Sequence, residues 1–299
     1  MRSALVLFLV SAGIAIGYGQ QPRKIKVFIS VDMEGVAGVV SADQLGPGSF
    51  EYERFRNFMT QEALAAVEGA RQAGATEFVV ADAHGNEENL LIEKFPADVR
   101  IVRGEPRHGG MMGGIDGSFD AAMFVGYHAS THNTQGVRAH TFSSARLTRV
   151  VLNGKPVTEG AWNAAIAGQF GVPVIFISGD DVAIAEVRAA IGNVEAAETK
   201  RALGFHAAET KTPEAALSLI REKSAAALRG RAGYKPYVVA APVTVDVSFK
   251  SVNPAEVLSY LGRVFTRTDS HSIRFGAKDM MEASDIVDFV MAYRLDLEP

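Results

Sequence analysis

Apolar positions occur along this chain in two arrangements: short unbroken runs, and longer series spaced by three and four residues. The first run is Lys24 to Gly35, KIKVFISVDMEG, where Ile25, Val27, Phe28, Ile29 and Val31 have the composition of a strand covered on both faces of an α/β sheet. Tyr52, Phe55, Met59, Ala63, Ala66 and Ala70 then line one face of a helix from Tyr52 to Ala73, with Gly74 where a C-cap glycine belongs. The strand pattern returns at Thr76 to Ala81, Ala121 to Tyr127 and Val172 to Ser178. Helical stretches run from Thr158-Glu159 to Phe170, from Asp180-Asp181 to Ile191 and from Pro213 to Leu228. Asn86 to Lys94 reads as a short helix and Val99 to Val102 as a short strand, and Thr148 to Leu152 enters a hairpin turn at Asn153-Gly154. Further on, Tyr237 to Phe249 and Ser272 to Phe275 are strand-like, and Pro254 to Leu261 and Ala277 to Tyr293 helical.

Strand followed by helix, repeated, predicts an α/β fold: a three-layer domain with a largely parallel sheet, and a smaller C-terminal α+β domain. The pattern changes near Asn193 to Thr212, so the expected division is a catalytic domain over 24–192 and a second domain over 193–299. Ahead of both, Arg2 precedes the uncharged run Ala4 to Ile16, and Gly17 and Gly19 stand at −3 and −1 of a cut before Gln20. That is the layout of an export signal over 1–19, shorter than the roughly 20 residues of a membrane span. The expected location is therefore periplasmic or secreted, with no membrane span in the mature chain; the alternatives are an uncleaved N-terminal anchor and a cytoplasmic location.

Composition removes some chemistry. A net charge of −4 without a basic tract gives no nucleic-acid surface. With no cysteine, any metal must be held by His, Asp or Glu. The His-Glu-x-x-His helix of common zinc proteases and the Gly-x-Ser-x-Gly elbow of serine hydrolases are both absent, and the glycine-rich stretch Gly104 to Gly117 lacks a phosphate-loop pattern.

Candidate ligands stand at strand ends. Asp32 and Glu34 follow the first run, His84 the second and His128 the third. Parallel strands put their C-terminal ends on one edge of a sheet, where ligands bind in such folds. Glu159, opening a helix, can join them. Two acids one residue apart are costly to hold together without a cation. Two histidines and three carboxylates suit zinc or a similar divalent ion, and five ligands exceed what one catalytic zinc takes from protein. Two metals sharing one carboxylate would use all five. His108, His132, His206 and His271 lack the strand-end placement.

Ser30-Val-Asp-Met-Glu-Gly35, Asp82-Ala-His84, Gly126-Tyr-His-Ala129, His140, Glu159 and Ala277-Lys-Asp-Met280 together resemble the zinc-dependent D-aminopeptidases, also described as dipeptide-transport proteins of the DppA type. The resemblance runs in order from about Lys24 to Tyr293. It implies two zinc ions per chain with Asp32 bridging and Glu34, His84, His128 and Glu159 completing the set, His140 as the catalytic residue, short peptides with D-alanine-type N-terminal residues as substrates, and a homo-oligomer, a decamer of stacked rings. The chain departs from the family in its export signal and in a slightly longer loop between His128 and His140 that carries His132. The expected activity is a metal-dependent aminopeptidase. The alternatives are a peptide-binding protein serving a transporter and a Mg²⁺-dependent phosphohydrolase, the latter disfavoured because Mg²⁺ prefers oxygen ligands.

Overall fold

The computed structural model describes residues 24–292; the segment read as an export signal lies outside them. Two sheets organise the chain. The first contains β1 (Lys26–Val31), β2 (Glu77–Asp82), β3 (Val99–Val102), β4 (Ala121–Tyr127), β7 (Val174–Asp180), β8 (Glu195–Gly204) and β9 (Ala207–Thr210), in the order β3-β2-β1-β4-β7-β8-β9. Every pairing is parallel except β8 with β9. The second sheet is antiparallel, β11-β12-β10-β5-β6, built from β5 (Leu147–Leu152), β6 (Lys155–Pro156), β10 (Val243–Phe249), β11 (Thr266–Asp269) and β12 (Ser272–Ala277).

Burial explains the strand composition. β1 and β4 are central, and Val27 to Ile29, Val31 and Ala121 to Val125 are 0% exposed. One face of the first sheet is covered by α1 (Tyr52–Gln72) and α4 (Pro213–Arg229), which pack on each other and share a core with Val27, Ile29 and Val31. The other face shares a continuous core with the second sheet and with α2 (Glu159–Gln169), buried from Glu159 to Gly168. The remaining helices are α3 (Asp181–Ile191), α5 (Asn253–Ser259) and α6 (Met280–Ala292). Sheet membership crosses residue 192 in both directions: β8 and β9 extend the first sheet, whereas β5 and β6 belong to the second.

Two local readings change. Asn86 to Lys94 is not a helix but a loop ending in a 3-10 turn, Ile92–Lys94. The Asp82 carboxylate accepts from the Asn89 and Leu90 amides, and Glu87 adopts a left-handed φ of 59°, so these amides are withdrawn from any helical ladder. The stretch 193–212, expected to mark a change of domain, is mostly the β8–β9 hairpin.

The sheet order reverses between β1 and β4, and this is the switch point at which open α/β sheets bind ligands. Two glycines let the chain close there. A Cβ on Gly35 would lie 2.1 Å from the Tyr127 carbonyl oxygen, and one on Gly126, whose φ is +73°, would lie 2.2 Å from that of Asp32. Gly126→Ala is expected to destabilise the fold by about 3 kcal/mol or more, read as a lowered Tm, because both contacts are backbone and cannot swing aside.

Candidate metal centre

Asp32 and Glu34 leave the end of β1, His84 that of β2 and His128 that of β4, while Glu159 is the first residue of α2, whose N-cap Thr158 accepts from the Ala161 amide at 2.8 Å. All five are buried, and His140 stands almost wholly buried beside them. The loop from β4 to β5 is pinned to deliver it: the His140 amide donates to the Ala129 carbonyl at 2.9 Å, and the Phe142 amide to Glu159 Oε1 at 2.6 Å. The His128 and His140 rings stack, centroids 4.0 Å apart and 9° from parallel.

The distances divide the cluster into two halves that share Asp32. In one, His84 Nδ1 lies 3.2 Å from Asp32 Oδ1 and 2.8 Å from Glu34 Oε2. In the other, His128 Nε2 lies 3.3 Å from Asp32 Oδ2 and 3.2 Å from Glu159 Oε2. His140 Nε2 faces the remaining oxygens of both glutamates, 4.0 Å from Glu34 Oε1 and 3.8 Å from Glu159 Oε1.

Each histidine has its outer nitrogen committed to a backbone carbonyl, which can only accept. His84 Nε2 donates to Leu45 at 2.7 Å, His128 Nδ1 to Ala129 at 2.9 Å and His140 Nδ1 to Arg138 at 2.8 Å. In a neutral imidazole this leaves the inner nitrogen as a lone pair aimed at carboxylate oxygens, as in histidines oriented toward a metal. Asp32 Oδ2, Glu34 Oε2 and His128 Nε2 are buried and make no aligned hydrogen bond, despite ion-pair distances of 2.8–3.3 Å. A cation between them satisfies all three, so the donor set fits a metal. Among the described residues, two groups have ligand atoms within 4.8 Å of one another: Asp32, Glu34 and His128, and His128, His140 and Glu159.

The electrostatics agree. Burial opposes charge on His84 and His128, but Glu34 and Asp32 outweigh it at the first, and Glu159 and Asp32 at the second, holding both well above the usual histidine range. Burial likewise opposes charge on Glu34 and Glu159, and His84 and His128 outweigh it, lowering both. Asp32 is pushed up, by burial and then by Glu34. His140 moves down, through burial and the neighbouring His128. A cavity of about 280 Å³ opens before these groups, walled also by Met111, Phe142 and Asp288. A larger groove of about 480 Å³ passes His132, whose Nε2 donates to the Val150 carbonyl, away from the cluster.

The D-aminopeptidase family, peptidase M55, matches residues 25–289. The chain belongs to the D-aminopeptidase family. A D-aminopeptidase of Bacillus subtilis (strain 168) is 33% identical over 258 residues, 86% of this chain and 93% of that protein. Among solved structures, the zinc-dependent D-aminopeptidase DppA of Bacillus subtilis, described as a self-compartmentalizing protease, superposes with a TM-score of 0.85 at 32% identity, covering 91% of this chain and 99% of that one. The peptidase expectation drawn from the SVDMEG and GYHA segments holds, and the peptide-carrier and phosphohydrolase alternatives are not favoured.

Two groups beside the D-aminopeptidase cluster were not singled out from sequence: Asp288 on α6, and Lys200 on β8. Asp288 lies in the helix that closes the cavity, and its Oδ2 is buried without a hydrogen bond. Burial, then Asp285, push its pKa up to about 7 despite Arg107. An unfolded aspartate ionises near 3.9. Stability is therefore lost as pH rises from about 4 to about 7 and stays lower above, because the unfolded chain releases the proton first. Asp288→Asn is expected to stabilise the protein by on the order of 2 kcal/mol at pH 8, with the gain vanishing toward pH 4. Melts of both proteins at the two pH values check this; a gain independent of pH would contradict it.

Proposed function

We propose that this protein is a di-zinc aminopeptidase that releases N-terminal residues, D-residues in particular, from short peptides. The observation that carries the reading is the division of the cluster around Asp32. One of its oxygens faces His84 and Glu34, and the other faces His128 and Glu159. Asp32 would bridge two ions, His84 with Glu34 would complete one subsite, and His128 with Glu159 the other. Zinc bound there supplies Lewis acidity toward a carbonyl and lowers the pKa of a water toward neutrality.

The chain's own groups do the rest. The carbonyls of Leu45, Ala129 and Arg138 hold the three imidazoles in one tautomer. His140 Nε2, left with its lone pair, accepts a proton during attack on the peptide carbonyl and returns it to the departing amine. The cavity, about 280 Å³, is slightly below the roughly 300–1,000 Å³ of pockets for drug-sized ligands, which suits a peptide end and not a folded chain. The Bacillus subtilis relative described as self-compartmentalizing supports a homo-oligomer, and the stoichiometry proposed from the family resemblance is a decamer of stacked rings. Light scattering on the purified protein tests the stoichiometry. Export is part of the same proposal and is carried by residues 1–19 alone; intact Met1 on protein from the cytoplasm of the native host would refute it.

Metal analysis with a panel of D- and L-dipeptides tests the central claim. Near two zinc equivalents per chain, loss of activity on chelation, recovery with zinc and a D-preference at the N-terminal residue are the expected results. Full activity with less than one metal per chain would defeat the two-metal reading, and peptide retained uncleaved would defeat the peptidase.

A further inference from the structure

Lys200 enters the site from behind, on β8. It is 1% exposed, and its Nζ donates to the carbonyls of Glu34, Val36 and Val39, the last two at 3.0 and 2.6 Å. An ammonium has three protons, and all three are spent on one short turn. The neighbouring Thr199 Oγ1 donates to the Gly35 carbonyl at 2.6 Å, and Glu62 Oε1 on α1 accepts from the Ala37 amide at 2.9 Å. The turn that follows Asp32 is thus tied through its backbone by side chains from two other elements.

Burying an ammonium among carbonyls is costly, and an apolar side chain would fill the space for less. What the lysine adds is direction. With carbonyls 34, 36 and 39 drawn to one point, the peptide plane after Glu34 cannot rotate. Glu34 in turn is the carboxylate that reaches both His84, at 2.8 Å, and His140, at 4.0 Å. A loosened turn would misplace it toward both.

We propose that Lys200 is a positioning residue of the metal centre: it holds the turn from Glu34 to Val39 and, through Glu34, sets how tightly metal is bound. The inference rests on the metal-centre reading above. Residues that orient metal ligands typically change metal affinity by about 10–100-fold when replaced.

The test is a cycle of zinc affinities, measured by competition with a chelating dye on the wild type, Lys200→Met, Glu34→Ala and the double variant, each verified as folded by thermal melting. Lys200→Met should bind zinc about 10–100-fold more weakly than wild type. In the Glu34→Ala background the same replacement should change affinity by no more than about twofold, because the group it acts through is gone. Folded Lys200→Met with wild-type affinity overturns the inference, and so does an equal loss in both backgrounds, which marks a general structural role. Where Lys200→Met does not accumulate as folded protein, Lys200→Gln, which keeps an N–H donor, carries the same cycle. A wild type that takes up no zinc overturns the metal-centre reading and this inference with it.

Discussion

Asp32→Asn is expected to lower bound zinc below one equivalent per chain and to cut kcat/KM by more than the roughly 10²–10⁴-fold that a proton-transfer group is worth. The size of the effect follows from position. Among the described residues, Asp32 alone has one oxygen toward His84 and the other toward His128, so its loss removes a ligand from both halves of the cluster. An amide keeps the shape but offers one weak acceptor and no charge. Stability should move the other way in metal-free protein. Asp32 is pushed up by burial and by Glu34, so the folded chain bears a cost for its charge that Asn does not carry. Melts in chelator should therefore find the variant as stable as wild type or more so. In zinc the wild type gains about 2.7 kcal/mol per site for zinc at a hundred times its dissociation constant, and the variant little. A variant that retains two zinc ions, or that is stabilised by zinc as strongly as wild type, would show that Asp32 is not the shared ligand.

The part of this centre that was legible in the sequence was the part carried by strands. Val27 to Ile29, Val31 and Ala121 to Val125 are apolar because both faces of β1 and β4 are covered, and the polar residues that follow the two strands had to emerge on the same edge of the sheet. Asp32, Glu34, His84 and His128 meet for that reason. Glu159 and His140 depend on longer-range facts: the buried α2, and a loop tied back through Ala129 and Glu159. The pattern placed Glu159 as a candidate, whereas His140 entered only with the family segments, which gave both residues their roles. Lys200 was invisible because its stretch carried no strand pattern and the pair Lys200-Arg201 looks solvated; only the approach of β8 to the turn after β1 buries it. The Asn86 to Lys94 helix failed for a similar reason. Its local pattern was helical, but Asp82, several residues earlier, captures the amides that a helix would need. The β5–β6 hairpin announced itself through Asn153-Gly154, whereas nothing local told that it would pair with β10, some ninety residues on.

His140→Ala is expected to keep its zinc and lose kcat by roughly 10²–10⁴-fold with KM changed little, the signature of an interaction made in the transition state and not in the ground state. His128→Ala is expected to lose metal. The two rings are stacked 4.0 Å apart, and both donate their outer nitrogen to a carbonyl, so what separates them is the reach of the inner nitrogen. That of His128 lies 3.2–3.3 Å from Glu159 and Asp32, close enough for a shared cation. That of His140 stands 3.8–4.0 Å from Glu159 and Glu34, at the cavity wall, where it can meet a substrate atom. The competing assignment has its own support, since the ligand atoms of His128, His140 and Glu159 lie within 4.8 Å of one another. Zinc content and kcat on the two variants separate the assignments. A metal-depleted His140→Ala makes His140 a ligand. A zinc-loaded His140→Ala with wild-type kcat leaves it only the task of ordering the loop from Arg138 to Phe142. A zinc-loaded variant slowed a hundredfold or more is the outcome that the longer reach predicts.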